Sequence, residues 1–258
     1  MSLSKTRIRK IGSIIRAYSR EQCTHDEYQR ALADLDTYRG SMVQNMLVTH
    51  HDLRNALTNL ELLGNTSYRL KRQDTIVDKL QRQPQMNLAR MRDIAGCRVV
   101  LQGDSLAELN LLNDYVSEFY ANCEPRKIDY VNKPRRSGYR ALHIEITRHG
   151  LPLEIQLRTE SMHDWAQQAE ALSSVVHINL KEDGDTRLHN LLQEYAALLA
   201  DKTTSQSGLQ TGYDQGIEQI RKTLDELVMA FSDHGGRSTN LYDYWTGTAQ
   251  SERRSDGH

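Results

Sequence analysis

Ile8, Ile11, Ile14 and Ile15 recur at the spacing that lines one face of a helix with apolar side chains. The same texture continues to about residue 64. Thr24 stands where an N-cap belongs, ahead of a helix from His25-Asp26 to Tyr38. A longer apolar stripe, Met42 to Leu63, ends at Gly64-Asn65, a common helix stop. A further helix over Gln73 to Leu80 halts before Pro84.

The period then changes from helical to two. Ile94 to Leu101 reads as a strand, and Leu106 to Tyr120 as a helix. A basic loop leads into two alternating runs, Arg140–Thr147 and Leu153–Arg158, joined by residues 148–152 with hairpin signals. In these runs Leu142, Ile144, Ile146, Leu153, Ile155 and Leu157 share the core face. The opposite face carries His143, Glu145, Glu154, Gln156 and Arg158. Met162, Trp165, Ala169 and Leu172 form another helical stripe, best explained as core packing. Residues 186–230 are helical again, interrupted by the Ser/Thr/Gly-rich stretch 203–212. From Asp233 the composition is that of a flexible tail. The expected fold is α+β, a mixed sheet between N- and C-terminal helices. Its expected segments are 1–66, 67–175, 176–232 and the tail 233–258.

Composition narrows the class without naming a chemistry. The chain of 258 residues can bury one good core plus a helical appendage. No apolar run approaches the ~18 residues of a membrane span. The basic N-terminus lacks the apolar core of a secretory signal. Cys23, Cys97 and Cys123 are odd in number and far apart, which suits a reducing cytoplasm and argues against a zinc knuckle. Net charge is −1, but Arg69 to Arg140 hold 14 Lys/Arg against 9 Asp/Glu. A local basic patch on a near-neutral chain suits small polyanions as well as nucleic acid.

Candidate chemistry sits in that patch. Asp93 opens one strand and Glu154 lies on the polar face of another, a pair that could hold Mg²⁺ through oxygen ligands. Two acids at such positions are often plain surface residues. The surrounding cations change the balance: Arg69, Lys71, Lys79, Arg98, Lys133, Arg135, Arg136 and Arg140. Metal plus cation clamps is the equipment of phosphoryl transfer. Tyr139 follows Ser-Gly and could present its ring to a base, or serve as a core tyrosine. Arg69 and Arg98 offer flat guanidinium faces or phosphate contacts. His143 could meet phosphate or ribose, and Gln156 has the reach to orient Glu154. His50-His51-Asp52 lacks the further ligands of a metal site, and His163-Asp164 reads as a helix cap. No P-loop or dinucleotide fingerprint is present.

Four stretches, in this order, resemble the synthetase domain of the RelA/SpoT family: Tyr68 to Arg72 with Lys79; Arg92 to Arg98; Asp129 through Ser137-Gly138-Tyr139-Arg140 to His143; and Glu154 to Thr159. Met162 to Glu170 looks like the corresponding helix of single-domain members. The resemblance implies a nucleotidyltransferase-like fold and transfer of pyrophosphate from ATP to the 3′-hydroxyl of GTP or GDP, yielding pppGpp or ppGpp. It implies Mg²⁺ on Asp93 and Glu154, with Glu154 alternatively a base. Arg69 and Arg98 would sandwich adenine, and Lys71 and Lys79 would hold ATP phosphates. Tyr139 would stack on the acceptor base, with Arg135, His143 and Gln156 around the acceptor nucleotide. Where the family often has Lys-Pro before Ser-Gly-Tyr, this chain has Arg135-Arg136, which leaves the acceptor open. The segment before residue 67 leaves no room for the family's hydrolase domain, so a synthetase-only protein is expected. Two other readings remain: a toxic relative acting on the tRNA 3′ end or adenosine nucleotides, and a non-catalytic nucleotide-binding regulator. The flanking helices could build a homo-oligomer or simply complete the core.

Overall fold

The computed structural model describes residues 3–83, 85–182, 184–204, 210–233 and 245–246. Most of the expected tail, and the centre of the 203–212 interruption, lie outside the described residues. The chain forms two compact units. One comprises Met1–Val100, Glu108–Ile128 and His143–Leu157; the other Leu101–Ala107, Asp129–Leu142 and Arg158–His258.

The first unit begins with three helices, α1 (Lys5–Tyr18), α2 (His25–Gly40) and α3 (Val43–Asn59). Their ends follow from local chemistry. The Ser4 side chain caps α1, and Thr24 with Glu27 forms a reciprocal capping box on α2. Gly12 lies against Leu88 so closely that an added Cβ would come within 2.9 Å of the Leu88 Cβ. Helix α3 stops at Asn59, short of the expected Leu63. Glu61 takes a left-handed conformation (φ 54°), and the Leu62 and Glu61 amides donate to Leu57 and Thr58 carbonyls. That is a Schellman ending with glutamate in the glycine position.

The next element, β1 (Gly64–Leu70), is a strand that the hydrophobic pattern does not predict. After it come α4 (Gln73–Arg82), β2 (Ala95–Leu101), α5 (Leu106–Phe119), β3 (Arg126–Asp129), β4 (Leu142–Arg148) and β5 (Leu151–Arg158). The five strands form one mixed sheet in the order β1-β2-β5-β4-β3. β2 alternates buried and half-buried positions along its whole length, as the alternating sequence requires. β4 and β5 are joined by His149 and Gly150, both at positive φ, as a tight two-residue hairpin demands. The hairpin is shorter than expected because Leu151 and Pro152 already belong to β5.

Polar residues of α3 brace this hairpin. Asn45 donates to the Arg148 carbonyl at 2.8 Å, and Asp52 accepts from Arg148 (2.9 Å) and from the Tyr120 hydroxyl (2.8 Å). Asp52 of the His-His-Asp run is therefore a strut. Among the described residues no cluster of three or more metal-binding side chains occurs.

The second unit is built on α6 (Glu160–Val176), α7 (Arg187–Thr204) and α8 (Gln210–Asp233). Its core includes Trp165, Leu172, Leu192, Tyr195 and Leu224. Trp165 donates its indole N–H to the Leu192 carbonyl at 2.7 Å. The expected cap at His163-Asp164 is corrected: Thr159 caps α6, and Asp164 pairs with Arg221 of α8.

Candidate active site

Asp93 shortly precedes β2, and the buried strand fixes where its carboxylate points. Two ammonium groups converge on its Oδ2: Lys71 Nζ at 2.7 Å and Lys79 Nζ at 2.9 Å. Lys71 follows β1 directly, and its amide donates to the Ile94 carbonyl at 2.7 Å. Arg39 of α2 donates to the Lys71 carbonyl at 2.8 Å, so the N-terminal helices hold this corner of the sheet. Lys79 arrives from the first unit's α4, whose Ile76 and Leu80 are fully buried. Burial pushes the Asp93 carboxyl up, but Lys71 and then Lys79 outweigh it, and the group stays below its usual range.

Glu154 occupies the middle of β5, beside β2. The backbones approach closely there, since a Cβ on Gly96 would lie 3.4 Å from the Glu154 carbonyl. Both carboxylate oxygens are held. Oε1 accepts from His143 Nδ1 of the adjacent β4 at 2.8 Å, and Oε2 accepts from the Gln156 amide at 2.8 Å. Burial raises this carboxyl, the His143 and Gln156 hydrogen bonds lower it, and the negative charge of Asp93 raises it again. The net position is below the usual range, so Glu154 is ionised at neutral pH. The result is two ionised carboxylates close enough to sense each other, flanked by two ammonium groups. Their oxygens suit a hard divalent cation that keeps part of its water shell.

The expected site residues separate into those gathered here and those placed elsewhere. Asp93, Glu154, Lys71, Lys79, His143 and Gln156 lie in the first unit. His143 and Gln156 meet Glu154, so their immediate partner is that carboxylate. His143 is 9% exposed, so its ring is largely covered where it meets Glu154 on the polar face. Arg69 is exposed on β1, and Arg98 is half-buried on the neighbouring β2.

Arg135 and Tyr139 belong to the second unit. Arg135 is exposed, its guanidinium carbon 5.0 Å from the centre of the Tyr130 ring. Tyr139 is 5% exposed, its ring tilted against Trp165 and its hydroxyl accepting from Arg158 at 3.0 Å. In this arrangement Tyr139 is a core residue and not an open platform. Arg158, expected on the polar face, is 2% exposed. Sequence reasoning gives no site-related role to Arg39 or Arg158. Arg39 acts only through the backbone of Lys71, which no side-chain motif reveals.

The fold and site define a class: a mixed α+β sheet with one carboxylate just before a strand, Asp93, and another within the neighbouring strand, Glu154, the first flanked by two lysines. Residues 68–177 match the sequence profile described as the region found in RelA / SpoT proteins. An uncharacterised protein of Mycobacterium tuberculosis is 32% identical over 116 residues, covering 45% of this chain and 41% of that protein. The chloroplastic GTP diphosphokinase CRSH1 of Oryza sativa subsp. japonica is 26% identical over 225 residues, 78% of this chain and 38% of the rice protein. This chain thus spans about two fifths of the length of those relatives. The small alarmone synthetase 1 of Bacillus subtilis, solved with its product pppGpp, shares the fold at a TM-score of 0.55 and 20% identity. That match covers 74% of this chain and 98% of the other. A GTP pyrophosphokinase family protein from Streptococcus pneumoniae shares it at a TM-score of 0.54 and 19% identity, covering 77% and 97%. Among the described residues, no helix is long and apolar enough to cross a membrane.

Proposed function

We propose that this protein transfers the β,γ-pyrophosphoryl group of ATP to the ribose 3′-hydroxyl of GTP or GDP, with Mg²⁺ as cofactor. The observation that carries this reading is the pair Asp93 and Glu154, both held ionised, with Lys71 and Lys79 on Asp93. The RelA/SpoT-type region and the GTP diphosphokinase name of the rice relative support the choice of reaction.

Asp93 and Glu154 would hold Mg²⁺, which would supply charge neutralisation at the phosphates. The chain's residues do the rest. Lys71 and Lys79 share their ammonium protons between Asp93 and the ATP phosphates. Arg69 and Arg98 hold the adenosine end by stacking or charge. His143 and Gln156 fix both oxygens of Glu154, which limits its rotation. In the transfer, the bond from the α,β-bridging oxygen to the β-phosphorus breaks and AMP leaves. The acceptor 3′-oxygen bonds to that phosphorus and its proton passes to solvent water. A carboxylate held below the usual range is a weak base, so Glu154 is better suited to holding the metal than to taking that proton. A loose phosphoryl-type transition state asks little of a base in any case.

Asp93→Asn and Glu154→Gln are expected to lower turnover by about a hundredfold or more while thermal unfolding stays cooperative. Turnover within about threefold of the parent in both variants would contradict the assignment. The exposed run Lys133, Arg135 and Arg136 favours one second reading, in which the acceptor is an RNA 3′ end. Steep loss of acceptor affinity with salt would mark that case.

A further inference from the structure

The segment linking β3 to β4 has two sides of opposite character. Lys133, Arg135 and Arg136 are exposed, whereas Ser137 is fully buried and Tyr139 nearly so. Three contacts fix the buried foot. The Ser137 hydroxyl donates to the Lys181 carbonyl at 2.9 Å. Gly138, at φ +94°, lies so near the second unit's α7 that a Cβ would come within 2.5 Å of the Ala196 Cβ. Arg158 donates from Nη2 to the Tyr139 hydroxyl at 3.0 Å, with its guanidinium carbon 5.4 Å from the centre of the ring. The upper side is braced as well: Asp129 accepts from the Val131 and Asn132 amides, both at 2.9 Å.

Arg158 is the unusual member. It is among the largest fully buried side chains of the protein, and a guanidinium is among the groups most costly to take out of water. Its planar fork allows one nitrogen to reach the Tyr139 hydroxyl while the cation faces the ring, which a lysine ammonium cannot reproduce.

We propose that Arg158 is a positioning residue for the acceptor. It holds Tyr139, and through the backbone of residues 135–139 it holds the cations Arg135 and Arg136 in the arrangement that receives the acceptor's phosphates. The backbone connection is direct, because the Arg135 amide donates to the Tyr139 carbonyl at 3.3 Å and the Gly138 amide to the Arg135 carbonyl at 2.9 Å. The acceptor half of this proposal rests on the function proposed above; the ordering of the loop does not.

The test uses Arg158→Lys, which keeps the charge, and Tyr139→Phe, which removes only the hydroxyl and guards against an arginine variant that fails to fold. Amide exchange of the peptide covering 130–141 is measured beside KM for acceptor and for ATP. Exchange faster by about tenfold or more in both variants is expected, with acceptor KM up by a similar factor and ATP KM within about twofold. Unchanged loop exchange, or equal rises in the two KM values, overturns the proposal. If the parent protein transfers pyrophosphate to no acceptor, the functional reading falls, and loop exchange alone decides the role of Arg158.

Discussion

At the scale of single residues, the site is governed by partners that set charge. Asp93 carries a folded-state pKa below that of the unfolded chain, because Lys71 and Lys79 outweigh its burial. As pH falls, the unfolded chain therefore binds the proton first. The stabilising contribution is complete above about pH 4, the ordinary carboxylate value, and is lost as pH drops through the folded value. Glu154 acts with the same sign. Urea midpoints measured across the acid range should fall below about pH 4 and fall less steeply in Asp93→Asn, where one such group is gone. Parallel profiles would show that the lysine contacts do not form in solution. Cys97 gives a second check. Burial pushes its thiol up to about 12, and it is 2% exposed. A thiol reagent at pH 8 should label the half-buried Cys23 and Cys123 well before Cys97. Labelling of all three at one rate would mean that β2 opens readily.

At the scale of elements, side-chain pattern and backbone punctuation are unequally legible in the sequence. The Ile stripe of α1, the Thr24 cap and the alternation of β2, β4 and β5 are readable, since each has a definite chemical or burial signature. β1 is not, because it is an edge strand exposed at Asn65, Ser67, Tyr68 and Arg69, with no apolar alternation to read. β3 is four residues long with three of them exposed. The end of α3 is hidden because glutamate, not glycine, occupies its left-handed position. Glu21 after α1 is a second case, at φ 58° with the Gln22 amide donating to the Ala17 carbonyl. Glu21→Gly should therefore stabilise the protein by about 1 kcal/mol in chemical unfolding. A loss of stability would mean that the Glu21 side chain contributes something its exposed position does not suggest. Gly12→Ala should act in the opposite direction, since its Cβ would press on Leu88 across a tightly packed contact.

At the scale of the whole molecule, the charged residues are more legible in the sequence than the partners the fold gives them. Asp93, Glu154 and the cations stand in recognisable short motifs. Two facts are hidden there: that both lysines converge on Asp93, and that Tyr139 lies within a helical core with Arg158. Both depend on residues brought together from distant segments, Lys71 with Asp93 and Tyr139 with Arg158 and Trp165. Around the stretch that matches the RelA / SpoT profile, a helical N-terminal segment supports the Lys71 backbone through Arg39, and C-terminal helices anchor the basic loop. The exposed Lys133, Arg135 and Arg136 suit a polyanion.

The most direct measurement is therefore transfer of label from γ-labelled ATP, with Mg²⁺, to GDP, GTP, ADP or bulk tRNA offered separately, in the parent protein and in Glu154→Gln. Label is expected on GDP or GTP, appearing together with AMP release and disappearing in the variant. Label on tRNA or ADP alone would contradict the proposed acceptor, and no transfer to any of the four would contradict the proposed reaction.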